Sequence, residues 1–199
     1  MRPAIFLDRD GTLTVEGEWI TEREALVLVP GAGEALRLLA EAGFALVMVT
    51  NQSAVARGLI DEAELAHIHA HLADLLAAEG AKLDAVYWCP HHPTEGLGAW
   101  KRDCDCRKPK PGLVLRAARE LELDLARSWM VGDAARDIEA GWNAGVPGVL
   151  VATGKGATEI ERMRAVRAPD HFAPDVLAAA RWILAQRGAA RPGDVRQGK

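Results

Sequence analysis

Two carboxylates one residue apart, Asp8 and Asp10, close the first apolar stretch of the chain in the run Asp8-Arg9-Asp10-Gly11-Thr12. Residues two apart on extended backbone project to one side, so Asp8 and Asp10 are expected to share a site and Arg9 to point away. Adjacent carboxylates repel unless a cation or a shared proton compensates, and a hard divalent ion such as Mg²⁺ prefers oxygen ligands. A solvated acidic turn would use the same letters, since Asp-Gly is a common turn pair. Three later points favour the chemical reading. Thr50-Asn51-Gln52-Ser53 offers hydroxyl and amide donors suited to phosphate oxygens. Lys108 precedes Pro109 at the end of a long loop, and Gly132-Asp133 is followed one helical turn later by Asp137. Acid pair, hydroxyl, lysine and acid in that order make a phosphoryl-transfer site. Asp137 is either a further oxygen for the cation or its water, or a solvated first-turn carboxylate. Thr12 is expected to support the loop or to bond Asp10.

A second cluster is softer. All three cysteines, Cys89, Cys104 and Cys106, lie in the runs Cys89-Pro-His91-His92-Pro and Cys104-Asp-Cys106. Two pairs of soft or borderline ligands suit tetrahedral Zn²⁺, although the spacing is not that of a standard finger. Reduced cysteines with two loop histidines are the alternative.

These residues need elements to hold them. Short apolar runs alternate with helical patterns, which predicts a doubly wound α/β fold with a parallel sheet. Strands are expected at 4–7, 44–49, 83–88, 128–131 and 149–152, with a short edge strand at His171-Phe172. Helices are expected at 31–42, from an N-cap at Asp61 to about Ala78, at 113–123, 134–144 and 175–186. Each candidate residue then falls at the carboxyl end of a strand, where open parallel sheets bind ligands. Residues 89–112 form a Pro-, Gly- and Cys-rich segment, long enough to need a function. One domain over 1–187 and a disordered tail at 188–199 are expected. Neither interval flanking the first motifs has room for a folded cap, so the site should be essentially capless.

Composition narrows the class. The 199 residues carry a formal charge of −4 and no basic block, which argues against a nucleic-acid binder. No apolar run approaches the roughly 20 residues of a membrane span, and the N-terminus turns acidic too early for a signal peptide. The expectation is a cytoplasmic, monomeric protein acting on a small molecule, with no nucleic-acid or membrane partner.

The four ordered motifs resemble those of the haloacid dehalogenase-like phosphatases, over roughly residues 3 to 186. That resemblance implies a Rossmann-like fold and Mg²⁺-dependent catalysis. Asp8 would attack phosphorus, while Asp10 would protonate the leaving oxygen and then activate water. Thr50 and Lys108 would hold phosphoryl oxygens, with Mg²⁺ on Asp8, the Asp10 carbonyl and Asp133. More narrowly, CPHHP with CDCRKPKPG is similar to the zinc loop of the D-glycero-D-manno-heptose 1,7-bisphosphate 7-phosphatases, shared by histidinol-phosphate phosphatases. It implies structural Zn²⁺ on Cys89, His91, Cys104 and Cys106, omitting His92. It also implies substrate contacts from Asn51, Gln52, Ser53, Arg57 and Arg107, the two arginines being otherwise surface residues beside a site. The chain departs from the subfamily at Ala54, usually glycine, and at Ala134, usually lysine.

The expected substrate is therefore a phosphorylated sugar, heptose bisphosphate at its C7 phosphate, with histidinol phosphate as the alternative. A polynucleotide phosphatase and a non-catalytic zinc-braced module fit less well. His67, His69 and His71 invite a metal reading, but His67 and His71 share a helix face while His69 points elsewhere, so a solvated helix face is preferred. Gly154-Lys155-Gly156 reads as an ordinary loop, and most tryptophans as core. Trp100 would shield the zinc loop or meet substrate.

Overall fold

The computed structural model describes residues 1–186 apart from Glu18; the tail expected at 188–199 lies outside the described residues. Six strands form one parallel sheet: β1 (Arg2–Leu7), β2 (Ala45–Asn51), β3 (Ala85–Cys89), β4 (Leu123–Gly132), β5 (Gly148–Val151) and β6 (His171–Ala173). Their order is β3-β2-β1-β4-β5-β6. The helices are α1 (Ala32–Glu41), α2 (Glu62–Ala78), α3 (Gly112–Glu120), α4 (Ala135–Asn143), α5 (Gly156–Val166) and α6 (Val176–Ala185).

Strand alternation sorts the core into two layers. Ile5, Leu7, Leu46 and Met48 point to one face and pack with residues of α1, α2 and α6. Ala4, Phe6, Ala45, Val47 and Val49 point to the other, against Leu113, Val114 and Ala117 of α3. With both faces covered, the central strands read as continuous apolar runs. Each fully buried Leu, Ile or Phe contributes about 1.5–3 kcal/mol, so this frame is stiff. At the α2 entry the Asp61 side chain accepts from the Glu64 N–H at 2.8 Å, the N-cap that the sequence predicts.

Two expectations about elements are corrected. The helix expected through Leu123 stops at Glu120, and β4 starts at Leu123, whose backbone pairs with Arg2 and whose side chain is buried. Glu122, at φ 51°, makes the reversal, and the register shifts between Pro3 and Ile5, so the early half of β4 shows no clean alternation. The loop expected after Gly154 instead opens α5 at Gly156.

The sheet order reverses between β1 and β4, and ligand crevices form at such a switch point. Register brings the strand ends together: Leu7 lies level with Met48 on β2 and Val131 on β4, and Asn51 lies beside Cys89 on β3. Among the described residues, the connections between β1 and α1 and between β3 and α3 each hold only one short 3₁₀ turn, Arg23–Ala25 and Gly98–Trp100, and no folded cap covers this edge. No helix among the described residues is long and apolar enough to cross a membrane.

Candidate active site

Asp8 leaves β1 fully enclosed, its N–H donating to the Val131 carbonyl at 3.0 Å across the switch point. Its Oδ1 accepts the Arg9 N–H at 2.7 Å and lies 2.9 Å from Lys108 Nζ. Lys108 is buried too, between Asp8 and Asp137, whose Oδ1 is 2.7 Å away, and it donates to the Val49 carbonyl at 2.8 Å. All three ammonium protons are thereby engaged. Burial opposes the charge on Lys108, but Asp137 and Asp8 outweigh it and keep the lysine protonated. Burial likewise opposes ionisation of Asp8, yet Lys108 and Arg136 hold its carboxyl below the ordinary range. A buried, ionised carboxylate is a nucleophile prepared for use.

The third acid is in the opposite condition. Asp133 has one oxygen accepting the Lys155 N–H at 2.8 Å, while Oδ1 is buried without a hydrogen-bond partner. Burial, then Asp137 and Asp8, push its carboxyl up to about 7. Burial and Asp8 also raise Asp137. Oxygens of Asp8, Asp133 and Asp137 lie within 4.8 Å of one another. Three crowded carboxylates and an orphaned buried oxygen fit a hard divalent cation, which would relieve both the repulsion and the missing partner. The loops close tightly here because Gly11 (φ 78°) and Gly154 (φ 57°) lack side chains. A Cβ on either would meet Asp133 Oδ2 at 2.3 or 2.4 Å. Asp137 also accepts the Ala134 N–H at 3.0 Å, so it orients Lys108 and starts α4 rather than standing in solvent.

Asp10 corrects the alternation argument. The backbone bends at Arg9, and Arg9 folds back onto Asp10, Nε to Oδ1 at 2.9 Å and Nη2 to Oδ2 at 3.0 Å. Thr14, not Thr12, reaches Asp10, at 3.5 Å; the buried Thr12 hydroxyl has no hydrogen-bond partner among the described residues. Gln52 Nε2 donates to Asp10 Oδ2 at 3.0 Å and to Thr50 Oγ1 at 2.9 Å, joining the second motif to the first. Asn51 lines the crevice while its amide clasps the Lys108 backbone, donating to the carbonyl at 3.1 Å and accepting the N–H at 3.0 Å.

The crevice outside this group has a volume of roughly 740 Å³, and Ser53, Arg57, Arg107, Arg136 and Lys155 line it. Trp19 also lines it; it is 40% exposed rather than core, and Arg57 stacks over its ring at 4.6 Å while pairing with Glu95. Arg136 and Lys155 escape a reading by motif. The position of Arg136 in the first turn after Gly132-Asp133 was the available signal, and its guanidinium lies 3.9 Å from Asp137. A shallower hollow of roughly 490 Å³ beside Leu59, Leu97 and Trp100 lacks such convergent charge.

The sulfur cluster stands beside the crevice. Sulfurs of Cys89, Cys104 and Cys106 are 3.2–3.6 Å apart, unbonded, with His91 Nδ1 3.3 Å from Cys106 Sγ. Ligands on tetrahedral zinc at 2.3 Å stand about 3.8 Å apart, so a small relaxation would admit the ion. Hydrogen bonding from Cys89 leads the causes that lower Cys106 to about 5, while Cys89 and Cys104 are pushed up. A bound dication would favour the thiolate form of all three cysteines. His92 faces away, accepting the Glu95 N–H at 3.0 Å. Trp100 lies 5.7 Å from the His91 ring, which favours shielding over substrate contact. Arg107 donates to the His91 carbonyl at 3.0 Å, tying the cluster to the crevice wall.

Comparisons with known proteins agree with this geometry. Residues 105–179 match the hydrolase-like family model described as HAD-hydrolase-like. The chain is 47% identical over 160 residues to D-glycero-beta-D-manno-heptose-1,7-bisphosphate 7-phosphatase of Pasteurella multocida, covering 80% of this chain and 86% of that one. It is 41% identical to the Escherichia coli K12 enzyme of the same name, covering 92% and 88%. The solved D,D-heptose 1,7-bisphosphate phosphatase of B. bronchiseptica, complexed with magnesium and phosphate, superposes with a TM-score of 0.81 at 35% identity, over 92% of this chain and 99% of that one.

Proposed function

The chain belongs to the D-glycero-beta-D-manno-heptose-1,7-bisphosphate 7-phosphatases, phosphoric monoester hydrolases of the haloacid dehalogenase-like class, and from that premise we propose that it removes the C7 phosphate of the heptose 1,7-bisphosphate through an aspartyl phosphate on Asp8. The observation that carries the reading is the buried Asp8, held ionised by Lys108 at the mouth of a cation-lined crevice. Magnesium on Asp8, Asp133 and the Asp10 carbonyl, with Asp137 behind, would supply the charge that lets an anion approach a phosphate.

The chain's own groups do the rest. Asp8 attacks phosphorus as the bond to the sugar oxygen breaks, and Asp10 gives that oxygen its proton. Asp10 then takes a proton from the water that releases phosphate. Thr50 and the charge of Lys108 face the phosphoryl group. Ser53, Arg57, Arg107, Arg136 and Lys155 remain for the sugar and its second phosphate, since guanidinium groups bind oxyanions in bidentate fashion. The same cations disfavour histidinol phosphate, whose ammonium would meet like charge. Structural zinc on Cys89, His91, Cys104 and Cys106 would brace the loop that delivers Arg107 and Lys108. Reduced cysteines and the acidic net charge suit a cytoplasmic monomer acting on a small phosphosugar.

Turnover of heptose 1,7-bisphosphate and histidinol phosphate, measured in parallel with magnesium, tests this. A kcat/KM preference for the bisphosphate of at least about 100-fold is expected, from charge contacts of a few kcal/mol. Equal rates, or a preference for histidinol phosphate, would overturn the substrate.

A further inference from the structure

One histidine of α2 has no part in the chemistry above, yet it lies behind the site. His67 is exposed, but His69, two positions on, turns inward and sets Nε2 3.4 Å from Arg9 Nη1. That guanidinium is 1% exposed, among the largest wholly buried side chains, and its other two groups form the fork on Asp10. Arginine has donors only, so the contact requires a lone pair on Nε2 and places the ring proton on Nδ1. Burial, and then Arg9, lower the His69 pKa to about 3, so the ring stays a neutral acceptor across the working range. Without it, a fully enclosed Nη1 would lose this acceptor, and the guanidinium could rotate about its stem.

We propose that His69 is a positioning residue for the reaction: through Arg9 it fixes the direction in which Asp10 presents its carboxyl group. The inference rests on the reading of Asp10 as proton donor. In the first half-reaction the bond from phosphorus to the leaving oxygen breaks as the bond to Asp8 forms. The Asp10 proton goes to that oxygen, and the carboxylate left behind is received by the Arg9 fork. Gln52 holds the second carboxylate oxygen from the other side. Direction matters because a proton is transferred only over hydrogen-bond distance.

Leaving groups separate positioning from mere structural support. A sugar alkoxide needs the proton, whereas p-nitrophenolate departs without it. Phosphoenzyme formation in a single turnover is measured with the heptose bisphosphate and with p-nitrophenyl phosphate, for wild type, His69→Leu, His69→Gln and Asp10→Asn, after thermal melts confirm folding. General acid catalysis contributes about 10²–10⁴-fold, so partial misalignment is expected to cost His69→Leu about tenfold on the sugar substrate and less than about twofold on the aryl one. His69→Gln, which restores an acceptor, should recover most of the loss. Equal losses on both substrates, no loss, or a glutamine no better than leucine would overturn the proposal. If Asp10→Asn is selective and the His69 variants are not, only His69 loses its role. If Asp10→Asn is itself unselective, the reading of Asp10 falls, and His69 with it.

Discussion

The two donor clusters of this protein are built in opposite ways. The carboxylates come from two distant places in the chain, Asp8 after β1 and the pair Asp133 and Asp137 at the turn from β4 into α4, and the two places meet because the parallel sheet aligns its strand ends. The sulfur group comes from the end of β3 and one loop, within 18 residues. The first opens on a crevice and carries unresolved repulsion, shown by Asp133 held up to about 7 and by its orphaned oxygen. The second has four ligands and no open position, as a structural metal requires. A site that does chemistry keeps electrostatic tension for its substrate to relieve; a site that holds a loop completes itself. Asn51 joins them, lying level with Cys89 in the sheet while grasping Lys108 with both ends of its amide.

That contrast can be broken from either side. The largest effect is expected from Asp8→Asn, which should lower turnover by at least about three orders of magnitude, as loss of a nucleophile does. Its melting temperature and zinc content, read by calorimetry and metal analysis, should stay close to wild type. Cys106→Ser should act the other way. Losing one of four ligands costs several kcal/mol, and each kcal/mol lowers the melting temperature by about 2–4 °C in a domain this size. A fall of about 10 °C with loss of zinc is expected, and activity should drop only as far as the loosened loop carries Lys108 away. Asn51→Ala tests the link between the two. Two hydrogen bonds of about 1 kcal/mol each predict a roughly 30-fold loss of kcat/KM with zinc retained. A variant that lost zinc instead would make Asn51 part of the brace.

A separate test concerns pH. His69 has a folded pKa of about 3 against an ordinary 6.5, so the unfolded chain binds the extra proton between these values. Stability contributed by the neutral ring is complete above pH 6.5 and is lost as pH falls toward 3, with a slope of at most about 1.4 kcal/mol per pH unit. Denaturant titrations across that window should be flatter in His69→Gln than in wild type; identical slopes would place His69 in solvent.

What the sequence exposed and what it hid follow one rule. Asp8, Thr50 and Asp133 could be placed from sequence because each follows an apolar run, and Lys108 because it closes the long loop just before a helix; there residue type and position together suggest a chemistry. That Cys89, Cys104 and Cys106 cluster was readable because they lie within one short stretch of chain. Arg9 was misjudged because alternation holds only while the strand lasts, and the backbone bends one residue after Asp8. His69 was misjudged because helical spacing sorts faces without saying which face meets the β1 loop. The start of α5 at Gly156 and the early half of β4 were hidden by glycines and by a register shift, neither of which leaves a periodic trace.

The central claim is that a carboxylate, not water, first takes the phosphoryl group. It is tested most directly by mixing enzyme and heptose bisphosphate, quenching within one turnover, and reducing with borohydride, which converts an aspartyl phosphate to homoserine. Peptide mass spectrometry should then find homoserine at position 8 in the wild type, with Asp133 and Asp137 unchanged. Full phosphate release with no trapped residue, or trapping at any position other than 8, would contradict the account.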